Sequence, residues 1–257
     1  MGFSFSLITF AYNEAELVEK QIMVWVEQFK KFTDDFEIIL IDDGSTDATS
    51  EIVDRLEKEI PQLKVIHHPY NMGVGYAVRT ARKYVTKDYV FWNDIDGHFS
   101  LADLEKVIPF LKDYDVIVAF KHDTTKTKAY FPWLKSRINY WLIKILFLSP
   151  IQDFQFVQFY PREFFCEGIE LESYSSFIPA ECMLKAQAIG LDVIQFQIHY
   201  YSHYSKIRPG KCSDFKTIKT SIRNIFSFWF KWYFLGNKKR AKEFYYKKYG
   251  ASKPWRE

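Results

Sequence analysis

Up to Phe120 the apolar and polar positions of the chain switch between two rhythms. Phe3 to Phe10 is a continuous apolar run of strand length. From Glu14 to Phe32 the apolar positions fall at helical spacing, with Leu17, Val18, Ile22, Trp25, Val26 and Phe29 on one stripe. Glu37 to Ile41 is a second strand-like run, and it ends in Asp42-Asp43-Gly44-Ser45-Thr46-Asp47. Helix returns from Ala48 to Glu59, before the stop at Pro61. Leu63 to His67 reads as a third strand, followed by the loop Asn71-Met72-Gly73-Val74-Gly75 and a helix through Lys83. Asp88 to Trp92 is a fourth strand, Leu101 to Leu111 a helix, and Asp115 to Phe120 a fifth strand. Strands and helices in alternation, joined by short connections, predict an α/β fold with a mainly parallel sheet and helices on both faces. Such sheets bind ligands at the carboxyl ends of their strands. The polar clusters fall there: Tyr12-Asn13-Glu14, Asp42-Asp43-Gly44-Ser45 and Asp94-Ile95-Asp96.

The second half changes character. Ala129 to Leu148 is aromatic and apolar with Lys135, Arg137 and Lys144 interspersed, a pattern that suits helices lying in a membrane interface or an ordinary buried helix. Pro150 to Arg162 reads as a short strand or loop. Ser176 to Gly190 reads as a helix capped by Gly190, and Val193 to His199 as a strand. A basic loop follows to Ser213, and Lys216 to Leu235 is a second aromatic helix. From Asn237 to Glu257 eight Lys or Arg face two Glu. A basic tail after an aromatic helix fits an anionic membrane surface, and equally an oligomer contact with a solvated tail.

The 19% aromatic share, with 25 Phe and 17 Tyr, exceeds what a core of this size needs, so some of it is expected at a membrane interface or a sugar. A net charge of +3 gives no support to nucleic acid as a partner. Cys166, Cys182 and Cys212 are few, odd in number and without metal spacing, which fits a reducing compartment. The sequence opens directly into a strand without signal-peptide features, and no apolar run reaches transmembrane length, so the expected place is peripheral, on the cytoplasmic face of a membrane.

Asp94 and Asp96 are two apart on extended backbone, with His98 continuing the same side; this rim suits Mg²⁺ or Mn²⁺ facing a diphosphate. A solvated acidic turn is the plainer alternative. No Walker sequence, third dinucleotide glycine or Gly-x-Ser-x-Gly elbow is present.

The ordered set Ile8 to Glu14, Ile41 to Asp47, Asn71-x-Gly73-x-Gly75-x-Ala77 and Asp94 to His98 resembles family 2 glycosyltransferases of the GT-A (Rossmann-like) fold. Ser136-Arg137-x-x-Asn139, Ile151-x-Asp153-x-Gln155, Arg162, Glu181 and a basic glycine-containing loop make it most similar to the polyprenol-phosphate glycosyltransferases. The resemblance implies a GT-A domain over 1–215, with amphipathic interface helices near 129–149, and an aromatic helix with a basic tail over 216–257. It implies a nucleotide-sugar donor (GDP-mannose or a UDP-hexose), a polyprenyl phosphate acceptor and inversion at the anomeric carbon. Ala11, Tyr12, Glu14, Asp43, Ser45, Gly73 and Asp94 would bind the nucleotide, and Asp94, Asp96 and His98 the metal. Asp94, Asp96, Arg137, Asp153 and Gln155 would serve catalysis. Lys121, Ser136, Arg137, Glu181, Arg208 and Lys211 would take phosphate and acceptor. A membrane-anchoring partner or a second copy of the chain would hold it at the surface. A saccharide or protein acceptor, and a catalytically silent binding protein, are the alternatives.

Overall fold

The computed structural model describes residues 2–95, 99–121, 140–154, 157–198 and 215–256. Its centre is a seven-stranded sheet in the order β3-β2-β1-β4-β6-β5-β7. The strands are β1 (Phe5–Ala11), β2 (Phe36–Asp42), β3 (Leu63–His67), β4 (Tyr89–Trp92), β5 (Val116–Lys121), β6 (Gln158–Pro161) and β7 (Val193–Ile198). Strands β1 to β4 pair in parallel and β5 pairs in parallel with β7. Only β6 is reversed, antiparallel to both β4 and β5. The expected mainly parallel sheet is therefore present.

Strand period sorts the side chains into two layers. Phe5 and Leu7, Ile38 and Leu40, Phe91 and Phe159 point to one core. Their neighbours Ile8, Ile39, Ile41, Trp92 and Tyr160 point to the other. The first layer is closed by α1 (Val18–Phe29) through Ile22, Trp25 and Phe29, and by α2 (Thr49–Glu59) through Val53 and Leu56. The second is closed by α3 (Val74–Ala81) and by α6 (Ile178–Ile189), which is buried on nearly every side. Each fully buried Leu, Ile or Phe contributes about 1.5–3 kcal/mol, so these two layers are the main source of stability.

Between Leu101 and Lys112 the expected helix is broken into 3₁₀ turns around a short α4 (Leu104–Val107). Pro109 lacks the N–H that a continuous helix needs there. A helix over 140–147, α5, is the described part of the expected interface helices.

The C-terminal helices α7 (Phe215–Phe234) and α8 (Asn237–Tyr249) share the second core through Ile225, Phe228, Trp232 and Tyr245. The basic stretch is thus not a solvated tail. Tyr246 donates its hydroxyl to the Ile189 carbonyl at 2.8 Å, and Lys248 pairs with Glu167 at 2.5 Å.

Candidate functional site

Loops leave the carboxyl edge of β1 to β4, and polar side chains knit those after β1, β2 and β3 together. After β1, Asn13 takes the left-handed conformation (φ 55°), which an Asn tolerates. Its N–H donates to Ser45 Oγ at 3.0 Å and its Oδ1 accepts the Thr46 N–H at 2.8 Å. The Glu14 N–H donates to Thr49 Oγ1 at 2.8 Å. Ala11 is fully buried and its carbonyl accepts the Asp43 N–H at 2.9 Å.

After β2 the two aspartates divide their work. Asp42, 1% exposed, accepts from the Ser45 N–H, the Ser50 hydroxyl and His67 Nδ1. Burial pushes its carboxyl up, but these bonds outweigh that and hold it below its ordinary value. His67 spans Asp42 and the exposed Asp54, each at 2.8 Å. Burial pulls its imidazole down, and the two carboxylates more than reverse that. Asp43 accepts the Met72 N–H at 2.9 Å and the Gly73 N–H at 2.8 Å, with His68 Nδ1 at 2.7 Å. The other His68 nitrogen meets the Thr80 hydroxyl at 2.9 Å. Asp43 therefore anchors the glycine loop at the amino end of α3, where a negative charge is favoured. A carboxylate has about four acceptor positions, and these three bonds occupy two on Oδ1 and one on Oδ2.

Glycine is required at two points of this wall. Gly44 sits at φ 72°, and a Cβ there would lie 2.4 Å from the Tyr70 backbone. A Cβ on Gly75 would lie 2.1 Å from the Tyr174 backbone, so α3 and the loop before α6 touch main chain to main chain.

Two cavities open along the edge. The first, about 380 Å³, is polar and is lined by Tyr12, Asp42, Ser45, His67, Tyr70 and Asn71. The second, about 330 Å³, is more apolar and is lined by Phe10, Val78, Trp92, Ser176 and Pro179 together with Asp94. Asn93, beside Asp94, donates its Nδ2–H to the Phe99 carbonyl at 2.8 Å. Asp94 is exposed on this rim and offers hard oxygen donors of the kind Mg²⁺ or Mn²⁺ prefer. Among the described residues no group of three metal-ligating side chains is assembled. The expected partners Asp96 and His98 lie outside the described residues, as do Ser136, Arg137, Gln155, Arg208 and Lys211.

Of the remaining expected residues, Tyr12 and Ser45 line the polar cavity, and Gly73 opens α3. Glu14 is half-buried on the loop after β1. Asp153 is half-buried ahead of β6, whose reversed direction puts that stretch at the carboxyl edge. Lys121 is the final residue of β5. Glu181 is corrected. It was expected to face the acceptor, yet it has no exposed surface, and its oxygens accept the N–H groups of Glu172 and Ser173 at 2.6 and 2.8 Å. The reason is physical: Glu172 and Ser173 lie half-buried in a loop without regular structure, and their backbone donors need acceptors. Sequence reasoning assigned no role to Asn93, Asn13 or His68. Asn13 and Asn93 each flank an expected site residue, Tyr12 or Glu14 and Asp94, and His68 carries no such signal.

The sequence profile of the family described as Glycosyl transferase family 2 matches residues 6–173. The chain is 27% identical over 207 residues to a glycosyltransferase, AglD, of Haloferax volcanii, covering 77% of this chain and 33% of that one. It is 34% identical over 107 residues to a dolichyl-phosphate beta-glucosyltransferase of Trichomonas vaginalis, covering 39% and 32%. The chain thus spans about a third of the length of these curated relatives. The solved glucosyl-3-phosphoglycerate synthase of Mycobacterium tuberculosis, in complex with Mn²⁺, UDP and glucosyl-3-phosphoglycerate, superposes with a TM-score of 0.60. That match has 14% identity and covers 90% of this chain and 80% of that one. It shows the fold to be GT-A.

Proposed function

Because the chain belongs to glycosyl transferase family 2, we propose that it transfers a hexose from a nucleotide sugar to a polyprenyl phosphate at a membrane surface. The observation that carries this reading is the presence of two cavities on one sheet edge, one polar and lined by Tyr12, one more apolar and lined by Asp94. The first has the size and polarity for a base and ribose, the second for a sugar beside its diphosphate. Likeness to dolichyl-phosphate glucosyltransferases supports the acceptor class and favours glucose as the transferred sugar.

Asp43 is held by Met72, Gly73 and His68 so that its last acceptor position meets an N–H on the base. Asp94, with Asp96 and His98, would hold Mg²⁺ or Mn²⁺, which when bound neutralises charge on the departing diphosphate. Arg137, Arg208 and Lys211 would add positive charge around the phosphates. A lipid phosphate is already an anion at neutral pH and attacks without a general base, with inversion.

Among the described residues no helix is long and apolar enough to cross a membrane. The membrane contact is instead assigned to α5 and α7. Phe147 packs on Phe228 and Tyr233 with ring centroids 5.9 and 6.2 Å apart, which sets the two helices side by side. Trp141, Ile145, Phe226, Phe230 and Phe234 remain exposed on them, next to Lys231 and Lys238. Flotation with anionic vesicles, in parallel with Mn²⁺-dependent turnover of nucleotide sugars, tests the reading. A chain that neither floats nor turns over any donor contradicts it.

A further inference from the structure

The loop that walls the Asp94 cavity opposite β4 is held by charges the reaction does not touch. It runs from Ile169 to Phe177, between a short π-helical turn (Glu163–Gly168) and α6, and its Ser175 and Ser176 line the cavity. It has no regular structure of its own, so its backbone groups need partners from elsewhere. From α6, Glu181 accepts the Glu172 and Ser173 N–H groups, and Lys185 donates to the Glu170 carbonyl. Lys185 also pairs with Glu181 at 2.8 Å and with Glu172 at 3.1 Å; it is 2% exposed and Glu181 is 0% exposed. From α3, Arg79 donates to the carbonyls of Leu171 and Ser173 and stacks 3.8 Å over the Tyr174 ring. At the start of α8, Asn237 donates to the other Glu172 oxygen.

A buried ion pair of this kind is a weak source of stability, because desolvating two charges costs about what their attraction returns. An apolar pair would fill the same space. It would not fix the direction of the three backbone groups that Glu181 and Lys185 hold, the Glu172 and Ser173 N–H groups and the Glu170 carbonyl. We propose that Glu181 and Lys185 are positioning residues of this site. They set the backbone of 172–176 against Asp94 and touch neither substrate nor metal. The inference deepens the functional reading above and rests on it, since it takes the Asp94 cavity to hold the transferred sugar. Glu181 stands near the start of α6, just after Ile178 and Pro179 of the cavity wall, where a carboxylate invites the role of proton acceptor. Its geometry opposes that role: it is sealed from the cavity, and both of its oxygens are engaged.

The test compares wild type, Glu181→Gln and Glu172→Gln in the full chain. Glu172 is partly exposed, and its variant keeps the Glu181–Lys185 pair, which guards against a simple failure to fold. Three readouts are taken: UDP and GDP affinity with Mn²⁺, kcat and KM across pH, and amide exchange at 172–176. The expected result is nucleotide affinity within about twofold of wild type and faster exchange at 172–173. The kcat falls about 10- to 100-fold in Glu181→Gln, and less in Glu172→Gln, with pH limbs unmoved. Loss of a pH limb in Glu181→Gln would overturn the proposal, because Glu181 would then be moving a proton. Unchanged kcat and KM with faster exchange would also overturn it, because the clamp would then serve stability alone. A wild type inert toward every nucleotide sugar would remove the functional reading itself, and the catalytic half of this inference with it.

Discussion

Arg256 donates its Nε–H to the carboxylate of Asp115 at 2.7 Å, and Asp115 has no exposed side-chain surface. Lys253 at 2.6 Å, the Trp255 indole at 3.0 Å and the Asp192 N–H at 2.8 Å complete its shell. Residues 253–256 are thereby fastened to the amino ends of β5 and β7, the edge opposite the site. Removing both cations in Lys253→Ala/Arg256→Ala leaves a buried carboxylate with two neutral donors. The double variant should lose about 3 kcal/mol, read from urea unfolding, with nucleotide affinity unchanged.

The same residue predicts an acid limb. Burial pushes the Asp115 carboxyl up, but the bonds from Lys253, the Asp192 N–H, Trp255 and Arg256 outweigh it and hold it below its ordinary value. A depressed carboxylate contributes stability that is present above its unfolded value, about 3.9, and lost as pH falls through the lower folded value. Asp42 acts in the same direction. His67, raised in the fold, has the opposite sign. Its contribution is full below about 6.5 and fades as pH climbs through the folded value. Urea midpoints measured against pH should fall on the acid side less steeply in the Lys253→Ala/Arg256→Ala variant. They should be flatter above neutrality in His67→Gln.

Gly44→Ala should disturb the polar cavity. The left-handed backbone costs about 1–2 kcal/mol for an L side chain. The new Cβ also meets the Tyr70 main chain at 2.4 Å, so the cavity wall must move. Thermal unfolding and UDP or GDP titration should both register the change.

Asp43→Ala removes the acceptor shared by the Met72 and Gly73 N–H groups and His68. Leaving such donors without a partner costs about 1–3 kcal/mol. Loss of the proposed base contact at the same carboxylate should weaken nucleoside diphosphate binding about 10- to 100-fold by calorimetry.

Strands β2 and β4 were legible because each carries an apolar run buried on both faces, as in Ile38 to Ile41, whereas β3, with Lys64 and His67 exposed, was marked only by its short apolar stretch between Pro61 and the glycine loop. Strand β6 was not legible as the sheet's reversed member. It is four residues long, and its pairing with β4 and β5 comes from tertiary contact. The basic stretch after Asn237 misled by its charge. Ala241, Tyr245 and Tyr249 recur every four residues and face the core, but the lysines between them dominate the count. At the candidate site, the polar strand ends lie at the carboxyl edge of the sheet, where two cavities open. Sequence could not show that Glu181 turns inward, because the backbone donors it serves, at Glu172 and Ser173, become neighbours only when the loop before α6 folds back.

The central claim is transfer from a nucleotide sugar to a lipid phosphate. Its most direct test incubates wild type and Asp94→Ala with polyprenyl phosphate, Mn²⁺ and a panel of radiolabelled nucleotide sugars, then extracts the lipid. The account predicts label in the organic phase from one donor with wild type, and its loss in Asp94→Ala. Donor hydrolysis with no labelled lipid would contradict it and move the acceptor to a saccharide or a protein.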